Sequence, residues 1–246
     1  IDRYFPGDYK VIPNGVDLTR LRNVQPIARY RDGTLNILFI GRFENRKGAI
    51  YLLKAYRLLR KRGFDCRLLM VGTGPQEREI RRYIATRRLT GVELLGRVSD
   101  DDKARYFATA DVFVSPATGR ESFGIVLLEA MAAGKPIVCS DIHGYKGVVR
   151  RGEQALLVPP RDVKALTEAL ATVLGDAQLR ARMAAAGLER APQFSWENIT
   201  AKVDDYYHFV ARRVAQSPGG LPEHVRPEIL TTGREPTSIS PLRALR

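Results

Sequence analysis

Two glutamates stand eight positions apart between Ser115 and Pro136: Glu121 and Glu129, an E-x7-E spacing, with Phe123-Gly124-Ile125-Val126-Leu127-Leu128 between them. The run Ala130-Met131-Ala132-Ala133 keeps helical propensity high until Gly134 and Pro136 end it. Apolar runs at 111–114 and 136–139 read as short buried strands on either side. The stretch is therefore strand, loop, helix, strand, with Glu121 at the helix entrance and Glu129 about two turns in. The first-turn amides of Gly124, Ile125 and Val126 lack intrahelical acceptors and carry the positive end of the helix dipole, which makes an anion site. A carboxylate at that entrance would repel a bare anion. The pairing makes sense for a ligand that offers hydroxyls together with phosphate, as a nucleotide sugar does. A second charged element is the loop Gly41-Arg42-Phe43-Glu44-Asn45-Arg46-Lys47-Gly48, between a strand and a helix. Its glycines let the backbone approach a ligand, and Arg42 and Lys47 set a planar fork and a point charge at the carboxyl edge of the sheet, where open α/β sheets bind ligands. Arg46 is a weaker candidate for the same role and otherwise reads as solvent.

The segment ESFGIVLLEAMAAGKPIV resembles the E-x7-E segment of retaining GT-B glycosyltransferases of the family-4 type, those of the phosphatidylinositol mannosyltransferase kind in particular. The spacing alone is common; the flanking strand, S-F-G and A-x-x-G-x-P make the likeness specific. It implies that Glu121 faces a donor sugar, that Glu129 accepts ribose hydroxyls, and that the helix start, Phe123, Gly124, Ile125 and Val126, holds a diphosphate. The loop at Gly41 resembles the family's G-R-x(n)-K-G, whose Arg and Lys, here Arg42 and Lys47, neutralise that diphosphate. The turn Val71-Gly72-Thr73-Gly74-Pro75 resembles one near the donor, so Gly72 and Gly74 are donor-binding candidates. Arg97 and Val98, in an L-G-x-V segment, are candidates for the nucleobase. The likeness covers about residues 9–214 and matches only the C-terminal, donor-binding half of the two-domain enzyme. The acceptor half, with a family histidine near the reaction centre, has no counterpart, and the chain opens abruptly at Ile1, so a fragment is expected.

The elements that must carry these residues alternate. Strands are expected at 9–12, 35–40, 66–71, 92–98 (ending in a loop), 111–114, 136–139 and 155–160, and helices at 49–61, 75–88, 101–110, 124–133, 162–174, 176–189 and 196–214. The fold class is thus α/β, a doubly wound parallel sheet of Rossmann-like type, the C-terminal half of a GT-B fold by the resemblance. The expected division is an interdomain segment and lead-in loop at 1–34, a nucleotide-sugar-binding domain at 35–191, a crossover helix at 192–215 and a disordered Pro/Gly/Ser/Thr-rich tail at 216–246. Pro13-Asn14-Gly15-Val16-Asp17 resembles the loop that opens the family's C-terminal domain, and Phe194-Ser195-Trp196 its crossover, with Ser195 as N-cap.

Other motifs are weighed and set aside. Gly72-Thr73-Gly74 begins a dinucleotide fingerprint, but Glu77 stands where the third glycine belongs, which rejects a nicotinamide or flavin site. Asp100 and Asp102 match a metal-binding D-x-D, yet Ser99 as N-cap and acids in a first helical turn explain them without a metal. His143 is a loop histidine that could contact substrate. Cys66 and Cys139 lie in apolar runs and read as buried free thiols. No Cys/His cluster suggests zinc, and no apolar run of about 18 residues suggests a membrane span.

The 246 residues carry a net charge of +13, and 44% are hydrophobic. The basic excess lies on two expected helices, at 57–62 and 78–88. It fits a solvated arginine-rich surface, or attraction to anionic lipid headgroups. Nucleic acid is disfavoured, because the basic residues are not interleaved with aromatics and no nucleic-acid motif is present. The expected function is metal-independent transfer of a hexose from a GDP-mannose or UDP-glucose type donor to an alcohol acceptor, including a lipid such as phosphatidylinositol, by a cytoplasmic or peripheral inner-membrane enzyme. The alternatives are a nucleotide-sugar-binding module that never turns over and a basic anionic-lipid-binding protein.

Overall fold

A computed structural model describes residues 10–215. Six strands form one sheet: β1 (Leu35–Ile40), β2 (Cys66–Val71), β3 (Val92–Gly96), β4 (Val112–Ser115), β5 (Ile137–Ser140) and β6 (Ala155–Val158). Seven helices accompany them: α1 (Ala49–Lys61), α2 (Glu77–Thr86), α3 (Asp100–Thr109), α4 (Ile125–Ala132), α5 (Val163–Gly175), α6 (Ala177–Arg190) and α7 (Trp196–Ala215). Every strand pair is parallel, in the order β3-β2-β1-β4-β5-β6. Strand order reverses between β1 and β4, the point at which such a sheet opens a crevice beyond its carboxyl ends.

Continuous apolar strands demand cover on both faces, because each neighbouring side chain points to the opposite side. In β1, Leu38 joins one core layer with Phe107 of α3 and Leu127, Leu128 and Met131 of α4. Its neighbours Ile37 and Phe39 join the other, with Leu52, Leu53 and Tyr56 of α1 and Leu166 and Leu170 of α5. Helix ends follow local chemistry. Ser99, Asp162 and Asp176 each accept a backbone N–H of the first turn of α3, α5 and α6, and the Ser195 hydroxyl accepts from Asn198 N at the start of α7. Both cysteines are buried and unpaired, and burial pushes the Cys66 thiol up to about 11.

Some expectations are corrected. Residues 10–12 form no strand: Val11 is 91% exposed, and the segment gains its first ladder contact only at Val16, which makes a single bridge with Ser195. Tyr9 and the expected disordered tail at 216–246 lie outside the described residues. The stretch at 92–98 does end in a loop as expected: β3 stops at Gly96, whose φ of 68° leaves the extended region, and Arg97 and Val98 follow it. Contacts divide the chain at Ala201. The first unit holds the sheet and α1 to α6. In the second, which begins at Lys202 within α7, Tyr206 and Phe209 stack with ring centroids 6.3 Å apart.

One glycine fixes how closely the β1 and β4 loops meet. Gly48 closes a short 3-10 turn and begins α1 at φ 73°. A Cβ there would lie 1.9 Å from the carbonyl oxygen of Pro116. Gly48→Ala is therefore expected to lose about 2 kcal/mol or more through left-handed strain and displaced backbone. Urea denaturation measures it; unchanged stability would mean that the two loops separate freely.

Candidate active site at the carboxyl edge

The site is assembled by loops that touch backbone to backbone. After β1, Gly41 donates its N–H to Val71 O of β2 at 3.0 Å, and Phe43 bonds Thr73 O at 2.9 Å and Gln76 N at 2.9 Å. Gly72 presses on Gly41: an added Cβ would stand 2.0 Å from the Gly41 oxygen, and one on Gly74 2.5 Å from the Phe43 oxygen. Both glycines thus set the spacing of the loops that follow β1 and β2. Gly72 N–H donates to Gly96 O at 2.7 Å, which brings the end of β3 into the same rim. There Arg97 is exposed and its Nε reaches Thr73 Oγ1 at 3.4 Å, while Val98 packs on the core.

Across the crevice, Thr118 N–H donates to Arg46 O at 2.8 Å, tying the β4 loop to the β1 loop. Glu121 then lies among cations, Oε1 being 2.8 Å from Lys47 Nζ and 2.6 Å from Arg46 Nη1. Its side chain is only 8% exposed, so a lone charge there would be costly; two cations answer it. This corrects the reading of Arg46 as solvent, since its guanidinium also lies 2.8 Å from Glu44 Oε1. It also accounts for a carboxylate at an anion site, because Glu121 is neutralised where it stands. Arg42, by contrast, is exposed; its carbonyl accepts from Glu44 N–H at 2.9 Å, while its guanidinium has no hydrogen bond or ion pair among the described residues.

Helix α4 starts late. Gly124, at φ 87°, packs against the Tyr145 ring and caps the helix, so Glu129 lies one turn in rather than two. The amides of Gly124, Ile125 and Val126 donate to no protein acceptor among the described residues. Ile125 is 46% exposed, Val126 half-buried, and Phe123 packs edge-on against Phe194. Glu129 has a partner that sequence reasoning missed: Lys103 Nζ, 2.8 Å from its Oε1 and 3.1 Å from Asp100 Oδ1. Burial opposes charge on Lys103, but the hydrogen bonds to Glu129 and Asp100 outweigh it and hold the ammonium above the usual lysine range. Asp100 is held low mainly by Lys103, and Asp102 Oδ2 accepts from Ser99 Oγ, so the D-x-D acids serve an ion pair and a helix cap. No three His, Cys, Asp or Glu side chains among the described residues are grouped to hold a metal ion.

A second missed feature is the loop after β5. His143 is exposed, but its neighbour Gly144 lies against Glu121: an added Cβ would be 1.8 Å from the Glu121 carbonyl oxygen. Tyr145 beside it is buried, its hydroxyl 2.7 Å from Ser115 Oγ at the end of β4. Only the I-H-G-Y run after a strand hinted at this.

This sheet order, with its cations at the reversal, is that of a Rossmann-like nucleotide-binding fold, and it is shared with solved glycosyltransferases. The sequence model of the family described as "Glycosyl transferases group 1" matches residues 25–190, and the chain belongs to that family. It is 40% identical over 206 residues to the phosphatidyl-myo-inositol mannosyltransferase of Mycobacterium leprae, covering 83% of this chain and 54% of that protein. It is 36% identical to the O-antigen chain mannosyltransferase B of Escherichia coli, over 69% of this chain and 45% of that protein. Sucrose-phosphate synthase from Thermosynechococcus elongatus superposes with a TM-score of 0.74 at 30% identity, over 85% of this chain and 55% of the other. The C-terminal domain of a group 1 family protein from Francisella tularensis is 97% covered, with a TM-score of 0.65, at 20% identity and over 73% of this chain. The chain spans about half the length of the curated relatives it matches. Among the described residues no helix is long and apolar enough to cross a membrane.

Because Gly144 has no room for a methyl group, Gly144→Ala should displace Glu121 while leaving Lys103 and Glu129 in place. For a crevice that takes a nucleoside diphosphate sugar, the expected result is little change in nucleoside diphosphate affinity and a loss of about tenfold in the increment added by the hexose. Calorimetry with the two ligands checks it; an intact increment would show that Glu121 is not held by this loop.

Proposed function

We propose that the chain is the donor-binding half of a retaining hexosyltransferase, which holds a nucleoside diphosphate sugar for an alcohol acceptor bound by a second domain. The observation that carries this reading is a convergence on one crevice. Arg42, Lys47, the unpartnered first-turn amides of α4 and the neutralised Glu121 all lie at the carboxyl ends of β1 and β4. As the bond from the sugar to the diphosphate breaks, its electron pair passes to the leaving phosphate oxygen. Cations and oriented amides stabilise that charge, and such preorganised groups supply the largest electrostatic benefit. Arg42, Lys47 and Gly41 with the α4 entrance hold the diphosphate, Glu121 meets the sugar hydroxyls, and Glu129, steadied by Lys103, accepts the ribose hydroxyls. Gly72, Gly74, Arg97 and Val98 frame the base. No metal is required in this scheme, because arginine, lysine and amides carry the countercharge. The names of the mannosyltransferase relatives, and of a D-inositol 3-phosphate glycosyltransferase 32% identical over 223 residues, favour a mannosyl donor and an inositol-bearing acceptor. A lipid acceptor suits a basic protein working at the inner face of a membrane.

The test is calorimetry of the chain with GDP, GDP-mannose, UDP and UDP-glucose in the presence of a chelator. One base should bind, and its hexose conjugate more tightly; the chain by itself should transfer no sugar. Arg42→Ala and Lys47→Ala should each weaken nucleoside diphosphate binding by about 1.5–3 kcal/mol. Glu129→Gln should weaken both ligands, and Glu121→Gln only the sugar conjugate. Binding of none of the four ligands would overturn the reading, and binding that needs a divalent ion would overturn its metal-free form. Donor binding without transfer or hydrolysis, even when an acceptor domain is joined, would mark a binding module instead.

A further inference from the structure

Arg46 sits between two carboxylates and two loops. Its Nη1 is 2.6 Å from Glu121 Oε1 and its Nη2 2.8 Å from Glu44 Oε1, while its carbonyl accepts from Thr118 N–H. The Glu44 contact is electrostatic, since Glu44 Oε1 meets no donor at a hydrogen-bonding angle. The Glu121 contact is a hydrogen bond, and Nη1 also lies 3.5 Å from Arg120 O, beside Glu121 in the chain. Arg46 thus holds the β4 loop by backbone and side chain together, just where the carboxylate emerges.

Charge then separates the roles of two adjacent residues. Glu44 and Glu121 carry two negative charges, and Arg46 and Lys47 two positive ones. Without Arg46, Lys47 would be the sole counter-ion of a carboxylate that is 8% exposed. A guanidinium is always charged, planar and able to face two carboxylates at once, which an ammonium does less well.

We propose that Arg46 is a positioning residue for the transfer: it fixes the charge and orientation of Glu121 toward the sugar. The inference rests on the donor-binding reading above and adds a residue to it. Arg46 acts through Glu121 and touches no phosphate.

The experiment is a double-mutant cycle on the 246-residue chain, with Arg46→Ala, Glu121→Gln and the pair, each titrated with a nucleoside diphosphate and its hexose conjugate, using the base that the unaltered chain prefers. The readout is the ratio of the two affinities, which a general loss of stability would not alter selectively; thermal melting accompanies each variant. Arg46→Ala is expected to reduce the sugar's increment about tenfold, to change nucleoside diphosphate affinity no more than a few-fold, and to add nothing further once Glu121→Gln is present. Arg46→Lys, which keeps the charge and loses the fork, should restore part of the increment, and it carries the test if Arg46→Ala does not fold. Equal losses for both ligands would make Arg46 a phosphate ligand and overturn the proposal. Additive losses with Glu121→Gln, or an unchanged increment, would overturn it as well while leaving the donor-binding reading intact. A chain that binds neither ligand overturns both.

Discussion

Backbone meets backbone without intervening side chains at the carboxyl edge of this sheet, and the site depends on it. Gly72 lies on Gly41, Gly48 on Pro116 and Gly144 on Glu121, each so closely that a methyl group would stand about 2 Å from a carbonyl oxygen. Loops in ordinary van der Waals contact through side chains could slide past one another. Loops this close have one arrangement, and the side chains that rise from them inherit its precision. Preorganised positions of this kind are what electrostatic catalysis needs, because the stabilising groups must already be in place when charge develops.

Charge in the crevice is arranged in balanced sets rather than as a bare positive pocket. Glu121 is met by Arg46 and Lys47 through contacts that reach back to the β1 loop. Glu129 is met by Lys103, which reaches across to Asp100. The two carboxylates of the E-x7-E spacing therefore have separate supports, one in the loop after β1 and the other on α3. With that separation, a change at one carboxylate's counter-ion does not propagate directly to the other. Arg42 stands outside both sets and is exposed, a cation left available to an incoming anion.

The six strands from β1 to β6 and the helices between them were legible in the chain itself. A parallel strand covered on both faces must be apolar throughout, so LNILFI and CRLLMV announce themselves, and Ser99, Asp162 and Asp176 mark helix starts through bonds to their own first turns. Arg42, Lys47, Glu121 and Glu129 could be singled out as candidates from local signals: a loop after a strand, a helix entrance, a fixed spacing. The segment at 10–12 misled because a short run becomes a strand only where a neighbour offers a ladder, and among the described residues none pairs with it.

What the tertiary structure alone decided is which charge answers which. Arg46 and Glu121 lie 75 positions apart, Lys103 and Glu129 26, and Gly144 meets Glu121 from a third loop. An arginine in a basic loop looks like solvent until another loop brings a carboxylate to it, and a glycine after a strand looks like a turn until a second backbone lies on top of it. Residue type and spacing determine local conformation through propensity, capping and hydrophobic period, all of which act within a few residues. Ion pairing and close approach depend on distance in space, and the parallel crossovers set that distance only once the sheet has formed.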